Sequence, residues 1–366
     1  MSKIKKGQIT LGLIFTMFIA LIATPSMDNS HVFNQKLYSV QDEKFKSKIK
    51  SANLSTDYEI EQVLKDVETF GLNTINVPII IKITSLTSSE MSIDEESLKK
   101  GIRMIKKLKA RGINIILEAY PWIKNGEGYE TSWKPDDVNK FFYIWKNDIL
   151  GVLADKIAKP YRVYAMNVAS NLVYLEDYQD KWCDIIDFVR NKYDGFITYR
   201  TCWWYTAKWD KKSFSNFNKK LENKLFSKVD FISVAAYFEL TDRMKNTVPE
   251  LEKAIHKVER FKRGQNVKEQ LYKLHKKWDK PIFFGELGFP RKEGASIEPW
   301  NEFCSRVIDG SEQARCFEAY KNVFEKEPWH LGFSVFAVGE KGINKNYYPS
   351  KESEEVIRNW YNRDSK

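Results

Sequence analysis

The feature that most constrains this chain is an alternation sustained from residue 48 to residue 361. Short apolar runs rich in Val, Ile and Phe alternate with longer stretches whose apolar residues recur at helical spacing. The strand-like runs cover 48–54, 73–83, 113–120, 161–172, 195–204, 229–240, 281–289 and 331–339. Helical patterns cover 57–70, 94–111, 135–158, 177–192, 312–326 and 353–361, with one or two helices in 250–278. In 57–70, Ile60, Val63, Leu64 and Val67 share one face and Gly71 supplies the stop. Strands that are apolar almost throughout must be covered on both faces, which implies an α/β chain with a parallel sheet under helices. Eight such units in about 320 residues predict one (β/α)8 TIM barrel rather than an open doubly wound sheet. The 366 residues, 43% of them hydrophobic, suffice for one large core. No glycine-rich phosphate loop follows the first strand, which argues against a nucleotide-binding fold.

Residues 1–26 have the layout of an export signal. Lys3, Lys5 and Lys6 precede an apolar run over 9–23, and no acidic residue occurs before Asp28. The run is shorter than the ~20 residues that span a bilayer comfortably. Ala23-Thr24-Pro25-Ser26 is a loose match to a cleavage site, so the segment reads as a signal peptide or an uncleaved membrane anchor. Residues 27–47 read as a polar tether and 48–366 as the barrel. The expected location is extracellular or at the cell surface. The net charge of +10 is spread over lysine pairs such as Lys99-Lys100 and Lys276-Lys277, which suit solvated helix faces. No nucleic-acid module is present, so a nucleic-acid partner is not expected, and the chain is expected to be a monomer.

Four cysteines, Cys183, Cys202, Cys304 and Cys316, are too few for a disulfide scaffold. Cys304 and Cys316 stand close enough to pair in an oxidising space, or all four are free thiols. The four histidines lack metal-ligand spacing, and no metal or cofactor is expected.

In a barrel of this kind the chemistry sits where strands end and βα loops begin. The seventh run, Pro281-Ile282-Phe283-Phe284-Gly285-Glu286-Leu287, delivers one carboxylate to such a position. An ionised Glu is costly to bury without a partner or a task. The other ends supply Glu118 and Trp122, then Asn167, Ser170 and Asn171, then Arg200, Trp203 and Trp204, then Tyr237 and Phe336. Aromatic faces stack on sugar C–H faces, while amides and carboxylates bind hydroxyls. Polysaccharide or oligosaccharide is the partner this mouth would take.

These residues carry a resemblance. The sixth strand, Asp230-Phe231-Ile232-Ser233-Val234-Ala235-Ala236-Tyr237-Phe238, the seventh with Glu286, and Glu312-Gln313-Ala314 at the next helix resemble the retaining (β/α)8 glycosidases. The chain looks closest to the bacterial β-1,4-mannanase-like enzymes of glycoside hydrolase family 113, over roughly residues 48–361. The resemblance implies Glu286 as nucleophile and Tyr237 as its hydrogen-bond partner. It also implies an acid/base glutamate at the end of the fourth strand, where this chain has Asn171. An amide cannot act as a general acid, and loss of that function typically costs ~10²–10⁴-fold. Glu118 is therefore the candidate replacement acid/base, with Glu176 second. Asn171, Asn167, Arg200, Trp122, Trp203, Trp204 and Phe336 are the candidate substrate contacts. The expected function is a glycoside hydrolase-like protein acting on a cell-envelope or extracellular polysaccharide. The alternative is a catalytically inactive glycan-binding barrel.

Overall fold

The computed structural model describes residue 45, residues 47–340 and residues 346–362. Residues 1–44, with the expected export segment and most of the tether, lie outside the described residues. The unit Ser47–Lys366 carries the fold.

Eight strands run parallel in chain order: β1 Ile49–Leu54, β2 Thr74–Ile83, β3 Asn114–Ile123, β4 Ala165–Ser170, β5 Phe196–Thr201, β6 Phe231–Ala235, β7 Ile282–Leu287 and β8 His330–Val338. Each pairs with its sequence neighbours, and β1 pairs with both β8 and β2, which closes the barrel. A two-residue strand, Ser92–Ile93, adds antiparallel to β2 outside the ring. β1, β4, β6 and β7 are buried at every position, as expected of strands covered on both faces. Pro78 lies within β2 but beyond the last β1–β2 pair, Asn53 with Asn76. There the ladder has one neighbour fewer to satisfy, so the missing N–H is tolerated.

Helices follow the strands and turn their apolar faces inward. Ile60–Phe70 ends at Gly71, whose φ of 62° is the left-handed stop that glycine adopts without strain. Glu95–Lys109 starts at Asp94, whose side chain accepts from Ser97 N. The stretch 250–278 resolves into two helices, Val248–His256 and Val267–Trp278, the first opened by a capping box of Thr247 and Glu250. The expected helix over 135–158 begins at Val138 and proceeds through two π-helical turns, Trp145–Leu150 and Ala154–Ala158. The helix Lys211–Leu221 between β5 and β6 was not read from the sequence; its apolar residues are sparse among lysines and asparagines.

Strand register decides which side chains meet. Glu118 pairs with Asn167, Ser170 with Arg200, Arg200 with Ser233, and Ala235 with Glu286. Polar residues buried inside the apolar strands are thus brought to one end of the barrel. All four cysteines are free. Among the described residues no helix is long and apolar enough to cross a membrane, and no group of His, Cys, Asp and Glu could hold a metal ion.

Candidate active site

Glu286 stands near the carboxyl end of β7 and is 8% exposed. Arg200, on β5 and 2% exposed, donates to its Oε1 from Nη1 at 2.5 Å. Asn171 Nδ2 donates to both carboxylate oxygens, at 3.3 and 3.5 Å. Tyr237, buried just past β6, interacts with the same carboxyl through its hydroxyl. Burial pushes the Glu286 carboxyl up; Arg200 pulls it down; the charges of Glu130 and Glu118 push it up again, and the result is about 7.

Glu118 occupies a different kind of place. β3 continues to Ile123, so Glu118 lies mid-strand, level with Asn167 and beneath the mouth. Its two oxygens accept from Arg200 Nη1 at 3.0 Å and Nη2 at 2.7 Å, a bidentate ion pair. Ser170 Oγ donates to the same carboxylate at 2.6 Å, and Asn167 Nδ2 donates to Ser170 Oγ at 2.7 Å. The network continues to β1: Arg200 Nη2 donates to Asn53 Oδ1 at 3.2 Å, and Asn53 Nδ2 donates to the carbonyl of Gly285 at 2.9 Å. Burial alone would lower the guanidinium's pKa, but the two carboxylates outweigh it and raise it. Arg200 is therefore a permanent cation at the centre of the site. Gly285 leaves room for it: a Cβ there would come within 1.9 Å of Ser233 Oγ and 2.8 Å of Arg200 Nε.

Arg200 and Asn167, expected to touch substrate, are buried in this network and support the carboxylates instead. Glu176 is held by Lys220 and by Thr201 Oγ1, the latter at 2.6 Å. Asn171 directly follows β4 with a φ of 55°, a left-handed conformation that Asn tolerates better than most residues. That turn aims its amide into the mouth. Its Oδ1 accepts no hydrogen bond from the described residues.

The aromatic residues divide. Trp203 is half-buried, crosses Tyr237 edge-on at 5.5 Å, and runs parallel to the exposed Trp300 at 6.4 Å. Phe336 meets Tyr237 at 6.2 Å and Tyr347 at 5.4 Å, and the Phe336–Ala337 peptide is cis. Trp122 is half-buried beside Tyr120, at 6.5 Å between centroids. Trp204 is a correction to the expected sugar platforms. It is 8% exposed, stacks on Phe217 of the outer helix and donates Nε1–H to Gln270 at 2.8 Å. The two adjacent rings diverge: Trp203 meets Tyr237 and Trp300, and Trp204 meets Phe217 and Gln270.

One carboxyl here was not singled out from the sequence. Glu130 opens a 3-10 turn, Glu130–Ser132, in the long loop after β3. Its Oε1 accepts from Asn171 Nδ2 at 3.1 Å, so one amide nitrogen bridges Glu130 and Glu286. Desolvation raises the Glu130 carboxyl above its ordinary range. The signal that could have found it was its loop: βα loops on this face build the site.

The barrel is closed and parallel, and at its mouth the carboxyls of Glu286 and Glu130 meet at one amide, that of Asn171. A family model described as Glycoside Hydrolase Family 113 matches residues 44–355, and the chain belongs to that family. The fold is shared with a family 113 β-1,4-mannanase solved as a complex, at 20% identity and a TM-score of 0.65, covering 86% of this chain and 99% of that one. A family 113 β-mannanase from Alicyclobacillus acidocaldarius aligns at 16% identity and a TM-score of 0.66, covering 85% of this chain and 96% of that one. A family 5 mannosidase from Rhizomucor miehei is more distant, at 12% identity and a TM-score of 0.57, covering 86% and 92%. A search of curated proteins returns no match. By family the protein is an O-glycosyl hydrolase.

Proposed function

We propose that the protein is a retaining glycosidase that cleaves β-mannosidic linkages in an extracellular or cell-envelope polysaccharide, with Glu286 as nucleophile. The observation that carries this reading is the setting of Glu286: a strand-end carboxyl fixed by Arg200, Asn171 and Tyr237 at the foot of an aromatic wall. A nucleophile must be ionised and aimed. Arg200 favours the ionised form against the burial that opposes it and holds Oε1, and its bidentate bond to Glu118 prevents the guanidinium from turning away. Glu118 thereby acts through Arg200 rather than on the glycosidic oxygen. The β-mannan specificity is supported by the two family 113 mannanases that share the fold. The open acceptor on Asn171 suits a sugar hydroxyl beside the reacting carbon. Trp203, Trp300, Trp122 and Phe336 suit sugar faces along the cleft. The export-type segment 1–26 supports action outside the cell, released or anchored.

A second reading, a glycan-binding barrel without turnover, is favoured by one observation: Asn171 stands where the resemblance reserves the proton donor. The two are separated by incubating the purified protein with β-1,4-mannan and mannooligosaccharides. Reducing-end release that disappears in Glu286→Gln supports the enzyme. Saturable oligosaccharide binding with no release from either protein supports the binding module.

A further inference from the structure

We propose that Glu130 is the general acid/base of this site, a carboxyl supplied by the loop after β3 in place of the amide Asn171. This rests on the reading of Glu286 as nucleophile. Three independent observations point the same way.

The first is position. Glu130 Oε1 and Glu286 Oε1 accept from the same Asn171 nitrogen at 3.1 and 3.3 Å, so they lie no further apart than those two legs laid end to end. Two carboxyl oxygens held that close are compatible with the ~5–5.5 Å separation of a retaining pair. The second is partnership. A proton donor must be free to face the leaving oxygen, and a carboxyl whose oxygens are both engaged by neighbouring side chains is not. Glu118 is tied to Arg200 and Glu176 to Lys220. Among the described residues Glu130 has no salt bridge; it accepts from Asn171 and from its own backbone N–H. The titratable and charged groups facing it are Glu286, Glu118, Tyr120, Cys202 and Arg200, of which only Arg200 is a cation. The third is support. Three residues on, Trp133 is fully buried, donates to the carbonyl of Ser88 at 2.9 Å and packs on Phe141 and Trp145. The turn bearing Glu130 is thereby pinned to the barrel rather than left as a free loop.

In the first step a Glu286 oxygen attacks the anomeric carbon. The glycosidic C–O bond breaks with its electron pair on the leaving oxygen, which takes the proton from Glu130. In the second, Glu130 as carboxylate removes a proton from water, and the water oxygen attacks the same carbon. The ester bond to Glu286 then breaks, restoring the Glu286 carboxylate and the protonated Glu130. Asn171 is the positioning residue that holds both carboxyls.

The test compares Glu130→Ala and Glu130→Gln with wild type on mannohexaose and on aryl β-mannosides whose leaving groups differ in acidity. Gln keeps the shape and the contact with Asn171, so circular dichroism and thermal melting of both variants guard against misfolding. The expected loss on mannohexaose is about 10²–10⁴-fold. With 2,4-dinitrophenyl β-mannoside, which needs no acid, the first step should survive as a burst of dinitrophenolate. Sodium azide should then speed the slow second step in Glu130→Ala and yield a β-mannosyl azide. The descending limb of the pH profile should also vanish. Wild-type activity of both variants on mannohexaose would overturn the assignment while leaving Glu286 untouched. Equal losses on every substrate without azide rescue would also overturn it, marking Glu130 as structural. Absence of turnover and adduct in the wild-type protein would overturn both it and the reading it rests on.

Discussion

Replacing Glu118 by Gln separates the two roles open to that residue. The substitution keeps the side-chain volume but removes the charge opposite Arg200 and sets an amide donor against a guanidinium donor. The bidentate pair of 3.0 and 2.7 Å is lost, while Ser170 Oγ can still donate to the amide oxygen. Breaking a buried ion pair from one side costs about 3–5 kcal/mol. Arg200 keeps Glu286 as a counter-ion, so the lower end, about 3 kcal/mol, is expected from urea unfolding at neutral pH. The same change acts on the nucleophile. Glu118 pushes Glu286 up and competes for Arg200, so removing it should pull the Glu286 carboxyl down from about 7. Far below that pH the rate follows the ionised fraction of Glu286, and each unit of fall raises that fraction about tenfold. The ascending limb of kcat/KM against pH should therefore move to lower pH in Glu118→Gln, equally for good and poor leaving groups. A loss confined to poor leaving groups, with the ascending limb unmoved and azide rescue, would refute this and make Glu118 the acid/base.

Four other outcomes follow from the same geometry. Trp204→Ala should cost about 3–5 kcal/mol of stability, because it empties a packed site against Phe217, while KM in the folded fraction stays unchanged. Trp203→Ala should do the reverse, raising KM by about tenfold, near 1.4 kcal/mol, with little change in melting temperature. Gly285→Ala should inactivate the enzyme, since the new methyl meets Ser233 Oγ at 1.9 Å and Arg200 Nε at 2.8 Å; activity near wild type would mean that Arg200 tolerates displacement. Glu286 has a raised carboxyl pKa in the folded state, so its contribution to stability is complete below the ordinary Glu range and is lost as pH rises towards about 7. Glu286→Gln should lack that decline in a urea-unfolding series from pH 4 to 8, whereas an identical slope would place the titration elsewhere.

The barrel was legible because its signal is repeated. Eight apolar runs at regular intervals cannot be covered except by a closed or doubly wound parallel sheet, and an error at one strand end leaves the count intact. Glu286 was legible for a local reason: a lone carboxylate in an otherwise apolar strand is costly unless something answers it. What was not legible depended on register and side-chain direction. The apolar run stops at Tyr120 in the sequence pattern, which puts Glu118 at a strand end; the strand extends to Ile123 and carries Glu118 below the mouth. Trp203 and Trp204 look alike in the sequence, yet beyond the end of β5 one turns to Tyr237 and Trp300 and the other to the helix layer. Glu130 lies in a loop without periodicity. Its nearness to Glu286 depends on the left-handed turn at Asn171, which no residue pattern announces. The bidentate link between Arg200 and Glu118 was visible only as one alternative, because it joins residues 82 positions apart.

The most direct test of the account is labelling with 2-deoxy-2-fluoro-β-mannosyl fluoride followed by intact-mass analysis and peptide mapping. The activated fluoride leaves with little acid assistance, and the electron-withdrawing 2-fluoro group slows release of the ester, so the measurement reads the nucleophile alone. The account predicts one added fluoromannosyl mass per chain, carried on the peptide containing Glu286 and absent from Glu286→Gln. A stable adduct on another carboxylate, or none on folded protein that nonetheless hydrolyses β-mannan, would contradict it.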